Sequence, residues 1–332
     1  MSFGIAGLGS DWLVVELRRA PKSLLICFLT LQRERQWLAV IIEPTLTLRH
    51  NNAVYSVAFS SNGQLLASGS LDKAIKIWEL PSGKQKFRLE GHREAICTVS
   101  FQDGDSTLLS ASLDKTLRTW DLSEGKLKST MPGHQTYLTC MAPAPDGATA
   151  VSGSHDKDLV LWDIASSRAS ATLQGHADLV TCVAFSPDGL HIASAGHDLL
   201  IRVWDVESKK QVREIGPHPK PIQSLAFSPD GMILAASEES PIVRLWNFDS
   251  GKLKRTFENH KGMVKTLEYS PNGAHLASGG SDSLIQIQDA STGQIQHTLK
   301  SHRNTIYGLA WSATGDQLAS AAFDRTAKVW PL

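Results

Sequence analysis

Between Gly175 and Asp205 the apolar positions fall into three short runs separated by turn residues. Val180, Val183 and Phe185 mark the first run, His191 to Ala195 the second, and Leu200 to Trp204 the third. Runs this short, with β-branched and aromatic members, predict strands and not a helix. Pro187-Asp188-Gly189 breaks the first run from the second, and Asp198 lies between the second and third. Proline presets one corner of such a turn and glycine supplies a positive φ. The stretch therefore predicts an antiparallel meander, which alone could not bury both of its faces.

The meander is repeated. A histidine recurs every 42 residues, at His50, His92, His134, His176, His218, His260 and His302. In step with it run Trp78, Trp120, Trp162, Trp204, Trp246, Gln288 and Trp330. Equivalent turns follow the same period: Ser61-Asn62-Gly63, Pro145-Asp146-Gly147, Pro229-Asp230-Gly231, Pro271-Asn272-Gly273 and Ala313-Thr314-Gly315. A period near 40 residues with four strands per unit is the mark of propeller blades, and Gly-His followed by Trp-Asp is its most specific form. On these residues the chain resembles the WD-repeat family of β-propellers, from about residue 45 to 332, in seven copies. The fold class that follows is all-β: a seven-bladed propeller of four-stranded antiparallel blades spanning 44–332.

The last repeat ends after its third strand, at Pro331-Leu332. Thr45-Leu46-Thr47-Leu48 precedes His50 as Phe87 to Leu89 precede His92, so it is placed to serve as the missing outermost strand. Such an exchange leaves no free sheet edge at the seam. One irregularity is expected in the third blade, where Pro143 replaces the aromatic seen at Phe59, Phe101, Phe185, Phe227, Tyr269 and Trp311.

Residues 1–43 stand outside the repeat. Ser10-Asp11 is placed to cap a short helix over Trp12 to Arg19, ended by Pro21. The apolar run Leu24 to Leu31 follows Arg18, Arg19 and Lys22 as in a secretory signal, but Gln32-Arg33-Glu34-Arg35 stands where a small-residue cleavage site belongs. Trp37 to Ile42 is a further apolar run, suited to a strand or a short helix against the propeller. The segment reads as an appendage, the tail of an upstream domain or the product of a misplaced start.

Lys+Arg and Asp+Glu both number 33. A neutral chain offers no general electrostatic capture of nucleic acid or anionic membrane, and no apolar run reaches the roughly 18 residues of a membrane span. Cys27, Cys97, Cys140 and Cys182 form no CxxC pair. The last three lie among strand-like apolar residues, as small buried thiols in a reducing compartment do, so a cytoplasmic location is expected, with the nucleus as the other possibility.

Counting back four residues from each turn Asp gives a Ser, and the resulting sets imitate a hydrolase triad. They are His50/Ser68/Asp72/Trp78, His92/Ser110/Asp114/Trp120, His134/Ser152/Asp156/Trp162, His176/Ser194/Asp198/Trp204 and His302/Ser320/Asp324/Trp330. In the resembled family these four side chains form a hydrogen-bonded chain inside each blade. Five copies point to architecture, since one active site needs one triad. No catalytic residue is therefore assigned, and no cofactor is implied. The remaining histidines (His155, His191, His197, His275 and His297) lack the spacing of a metal set, so no metal is assigned either.

Function is then expected on the surface. The resemblance implies partner contacts three and five residues after each His and at the residue before each turn Asp. The large apolar and aromatic members at those positions are Tyr55, Leu71, Leu113, Tyr137, Tyr307 and Phe323. The expectation is a non-enzymatic scaffold binding protein or peptide partners on the propeller rim, as a monomeric propeller within a complex. The alternative is a regulatory, sensor or substrate-receptor propeller of a larger signalling or ubiquitin-ligase assembly. Adaptors of that last kind often carry Arg or Lys after Trp-Asp, where this chain has Leu122, Ile164 and Val206.

Blade 5 has Ala236 and Ser240 at the Ser and Asp positions, and blade 6 has Gln288 for Trp. A lost partner in a buried network costs roughly 1–3 kcal/mol. Amide hydrogen exchange should therefore run faster across 222–290 than across 96–206, measured by mass spectrometry; equal protection would remove the reading.

Overall fold

The computed structural model describes residues 42–332 and, before them, the backbone of three short strands, Gly4–Gly7, Trp12–Glu16 and Phe28–Thr30, paired antiparallel in a sheet of their own. Where a helix was expected from Trp12, Trp12–Glu16 is a strand, in keeping with the adjacent β-branched Val14 and Val15; the expected cap at Ser10-Asp11 and the end of that helix, 17–19, lie outside the described residues. The signal-like Leu24 to Leu31 run, apart from Phe28–Thr30, and Trp37 to Ile41 lie outside the described residues.

From Leu46 onward every element is a strand, and they form seven four-stranded antiparallel sheets. Blade 4 shows the pattern: Val180–Phe185 innermost, then His191–Gly196, Ile201–Asp205 and the outermost Lys210–Ile215. The Pro-Asp-Gly turn joins the first pair, with Gly189 at φ +73°, a value that strains any side chain.

The second and third strands are buried along nearly their whole length, as in Thr107–Ser112, where every residue is covered. They lie between two neighbouring sheets and so carry small or apolar residues on both faces. Space there is tight: a Cβ on Gly153 would fall 2.6 Å from Val180 of the next blade. The outermost strands alternate toward solvent, and only residues such as Leu173 and Ile215 turn inward. Seven apolar clusters result, each shared by two adjacent blades. Ala67, Ile75 and Ile77 of blade 1 pack on Ile96, Val99 and Leu108 of blade 2, for example.

The ring closes as the sequence requires. Leu46–Arg49 pairs antiparallel with the last strand, with Leu48 opposite Ala327 and Thr47 opposite Lys328. The Thr45 amide extends the ladder to the Val329 carbonyl at 2.8 Å. Leu48 is buried with Ala319 and Val329 of blade 7 and Val54 and Leu66 of blade 1.

Pro143 does not disturb blade 3. Leu138–Pro143 is a full strand, and its one register shift, between Leu138 and Cys140, recurs at the same place in blade 4 between Val180 and Cys182. The neighbouring Ala144 amide points outward to Thr149, so position 143 would aim an N–H at the central channel. On that open side proline forfeits no ladder bond.

Truncating Leu48→Ala removes core volume at the seam and should cost about 2–5 kcal/mol. Urea unfolding of the variant beside the exposed control Leu190→Ala checks this; equal stabilities would show that the seam carries no load.

Candidate functional site

The five complete sets form the same hydrogen-bonded chain. In blade 4, His176 Nδ1 lies 2.8 Å from the Asp198 carboxylate and Nε2 2.6 Å from Ser194 Oγ, and Trp204 Nε1 donates to the same Oγ at 2.8 Å. The imidazole–hydroxyl contact is 2.7 Å from His50 to Ser68 and 2.8 Å from His92 to Ser110. It is 2.7 Å both from His134 to Ser152 and from His302 to Ser320. Trp78, Trp120 and Trp330 donate to Ser68, Ser110 and Ser320 at 2.8 Å, and Trp162 donates to Ser152 at 2.7 Å. The carboxylates of Asp72, Asp114, Asp156 and Asp324 stand 2.8 to 3.1 Å from their histidines. Each carboxylate also accepts from the backbone amide after the histidine, as Asn51 donates to Asp72 at 2.9 Å. Each chain thus ties the loop between blades to the second and third strands.

Ser68, Ser110, Ser152, Ser194 and Ser320 imitate a triad nucleophile in the sequence, and the structure separates them from one. All five are 0% exposed, and each Oγ is already shared between an imidazole and an indole. A nucleophile needs access to substrate, and these hydroxyls have none.

The turn carrying the Asp needs a left-handed residue next to it: Lys73, Lys115, Lys157, Leu199, Ser283 and Arg325 all have φ between +65° and +75°. Burial pushes the carboxyls of Asp72, Asp114, Asp156, Asp198, Asp282 and Asp324 upward. The imidazole and amide hydrogen bonds outweigh it and hold them below the usual carboxylate range. Burial lowers His50, His92, His134 and His302 despite their carboxylate partners.

Blades 5 and 6 solve the same problem differently. Pro241 occupies the left-handed position of blade 5, which proline cannot adopt. The Asp turn is lost, and Glu238, two residues earlier, reaches His218 Nδ1 at 2.8 Å. Arg244 Nε stands 2.8 Å from the same oxygen, so the buried carboxylate is paired. Ala236 supplies no hydroxyl, and His218 Nε2 and Trp246 Nε1 have no partner among the described residues. In blade 6, Gln288 accepts from Asn259. Asn259 stands where blades 2, 3 and 4 have Gly91, Gly133 and Gly175. At Gly133 a Cβ would meet Trp162 at 2.5 Å, whereas Arg49, Pro217 and Ser301 stand at this position in blades that keep Trp78, Trp246 and Trp330. Sequence reasoning missed Glu238; Pro241 at a position requiring φ > 0 was the available signal.

Of the six proposed partner residues, the structure brings three together. Tyr55 and Tyr307 meet edge to face at 5.0 Å, and Tyr307 lies 6.2 Å from Phe323, which is 43% exposed. This aromatic group spans blades 7 and 1 at the channel mouth. Tyr137, 50% exposed, stands apart in blade 3 against His155 at 5.7 Å. Leu71 and Leu113 are partly buried, their amides bonded to Ala53 and Ala95. Elsewhere on the inner ring the side chains bond across to the next blade: Thr139 Oγ1 to the Val180 carbonyl at 2.6 Å, and Lys265 Nζ to Gln223 at 2.8 Å.

The thiols of Cys97, Cys140 and Cys182 are free. Burial pushes Cys97 and Cys140 up to about 12, and Cys182 higher still. They are poor nucleophiles and poor ligands. Among the described residues no group of three or more His, Cys, Asp and Glu could hold a metal ion.

Ala236→Ser should supply the missing hydroxyl and raise stability by about 1 kcal/mol, whereas Ser194→Ala should lower it by roughly 1–3 kcal/mol. Chemical denaturation of the two variants tests this; no gain in the first would mean that blade 5 has no room for the shared hydroxyl.

Short segments of several curated proteins are similar to this chain. Protein tipD of Dictyostelium discoideum is 50% identical over 42 residues, 13% of this chain and 7% of its own length. Vegetative incompatibility protein HET-E-1 of Podospora anserina is 43% identical over 72 residues, 19% of this chain and 5% of its own. The probable serine/threonine-protein kinase PkwA of Thermomonospora curvata is 48% identical over 50 residues, 15% and 7%. The matches therefore span less than a tenth of each relative. The family described as WD domain, G-beta repeat matches seven times, at 42–79, 83–121, 125–163, 167–205, 209–247, 251–289 and 293–331. Each match encloses three strands of one blade and the outermost strand before it, and the chain belongs to the WD-repeat family of β-propellers.

Proposed function

We infer that the protein is a non-enzymatic scaffold that binds a protein or peptide partner over blades 7 and 1. WD-repeat propellers generally serve protein interaction, and the observation that supports this sector is the aromatic group Tyr55–Tyr307–Phe323 at the channel mouth. Aromatic anchors present large rigid area at small entropic cost and recur in interface hot spots. Tyr55 and Tyr307 hold each other's orientation, so Phe323 is offered to a partner on a preset base. The partly buried Leu71 and Leu113 extend this face into blades 1 and 2, and Tyr137 with His155 offers a separate contact on blade 3. The reading places a monomeric propeller inside a larger complex in a reducing compartment, the cytoplasm or the nucleus; the free thiols of Cys97, Cys140 and Cys182 support that setting.

A second reading, the regulatory or sensor part of a larger signalling assembly, draws support from the relatives. All three extend far beyond the matched segment, and one is named a probable kinase.

Replacing Tyr55 and Phe323 together by Ala should lower recovery of bound partners roughly tenfold or more in affinity capture read by mass spectrometry, with an unchanged melting temperature. Undiminished capture would move the interface elsewhere.

A further inference from the structure

The eighth residue after each repeat histidine lies on the innermost strand. It is Ala58, Ser100, Ala142, Ala184, Ala226 and Ala310 in six blades, and Glu268 in blade 6. One carboxylate thus interrupts a ring of small side chains. It borders a cavity of about 1210 Å³ that opens on the face of the first-hairpin turns, opposite the aromatic rim, and runs on into the groove between blades 2 and 3. Among the described residues no side chain or amide hydrogen-bonds or pairs with this carboxylate; the Glu268 backbone lies in the ladder opposite Ala277, and its carbonyl also accepts from Trp311 Nε1 at 3.3 Å. Burial raises its pKa to about 7. The other charged groups on the cavity wall are Asp103, Asp105, Asp146 and Lys128, an acidic surplus along the approach.

An unpaired, partly desolvated carboxylate gains most from a cation that enters with it. Among the described residues the one cation lining the cavity is Lys128, on the outermost strand of blade 2, and it makes no contact with Glu268. We propose that the cavity receives a cationic side chain, an arginine or lysine, carried on an extended segment of a partner protein, with Glu268 as its counter-ion. A segment suits the space better than a lone small cation, because the cavity exceeds the volume of one side chain and continues along Thr119, Ile164 and Ser167. The aromatic rim lies on the other face, so this site does not rest on the function proposed above.

The test uses the full chain and a capped Gly-Arg-Gly peptide, followed by NMR of channel residues and by calorimetry. The peptide should bind saturably and shift resonances of Ala226, Glu268 and Tyr269. Binding should weaken at least tenfold in Glu268→Gln and for the same peptide with neutral citrulline, while the Tyr55→Ala/Phe323→Ala variant binds as wild type. Glu268→Gln is close to isosteric, and its melting curve verifies folding. Equal binding by Glu268→Gln, no saturable binding by wild type up to millimolar peptide, or spermidine held as tightly as the peptide would each overturn the proposal.

Discussion

A β-sheet that is apolar on both faces needs cover on both sides, and this requirement governs the whole propeller. Among the described residues no blade has an outer sheet or a helix to shield it. Each relies on the two blades beside it, and the seven shared clusters leave no sheet face bare only because the ring closes. Closure in turn depends on four residues, Leu46–Arg49, taking their place beside Thr326–Pro331. The same packing explains why small residues crowd the second strands, and why the large polar side chains buried on inner strands, such as Arg202, Glu238 and Gln288, are hydrogen-bonded or paired.

Within each complete blade a serine hydroxyl joins the histidine of the loop to the indole of the third strand. The two departures show what the geometry demands. When Pro241 forbids the left-handed corner, the carboxylate is supplied from a different residue, Glu238, with Arg244 added to balance it. When the indole is replaced by Gln288, the amide of Asn259 in the loop donates to it. In both cases the histidine keeps its carboxylate, while the hydroxyl–indole end changes. Fixing the loop has priority over saturating the interior.

Much of this was legible in the sequence because a repeat supplies its own controls. His176, Ser194, Asp198 and Trp204 are interpretable beside four other complete copies, and Thr45–Leu48 could be assigned to the last blade by counting. Burial of Ser68, Ser110, Ser152 and Ser320 was not legible from their spacing, since it depends on the neighbouring blade that covers each second strand. Pro143 was misread because its identity suggests disruption, while the harmlessness of its missing N–H depends on which side of the strand it faces. Glu238 was invisible because its role arises from the failure of a turn two residues away. The aromatic rim was half legible: the family resemblance put Tyr55, Tyr307 and Phe323 on one face, but the separation of Tyr137 depends on the angular spacing of blades. Glu268 was passed over because attention to the repeat favours what recurs, and it is the exception at its position.

The seam also sets an order of events. Thr45 and Val329, hydrogen-bonded in the finished ring, are 284 residues apart in the chain. As the polypeptide leaves the ribosome, early blades can stack on one another, but the outward face of blade 1 stays uncovered until the strands of blade 7 have been made. Contacts of such sequence separation form slowly and leave apolar surface available to other molecules meanwhile. A nascent propeller of this design therefore keeps an apolar sheet face open throughout its synthesis, however rigid it becomes once the two ends meet.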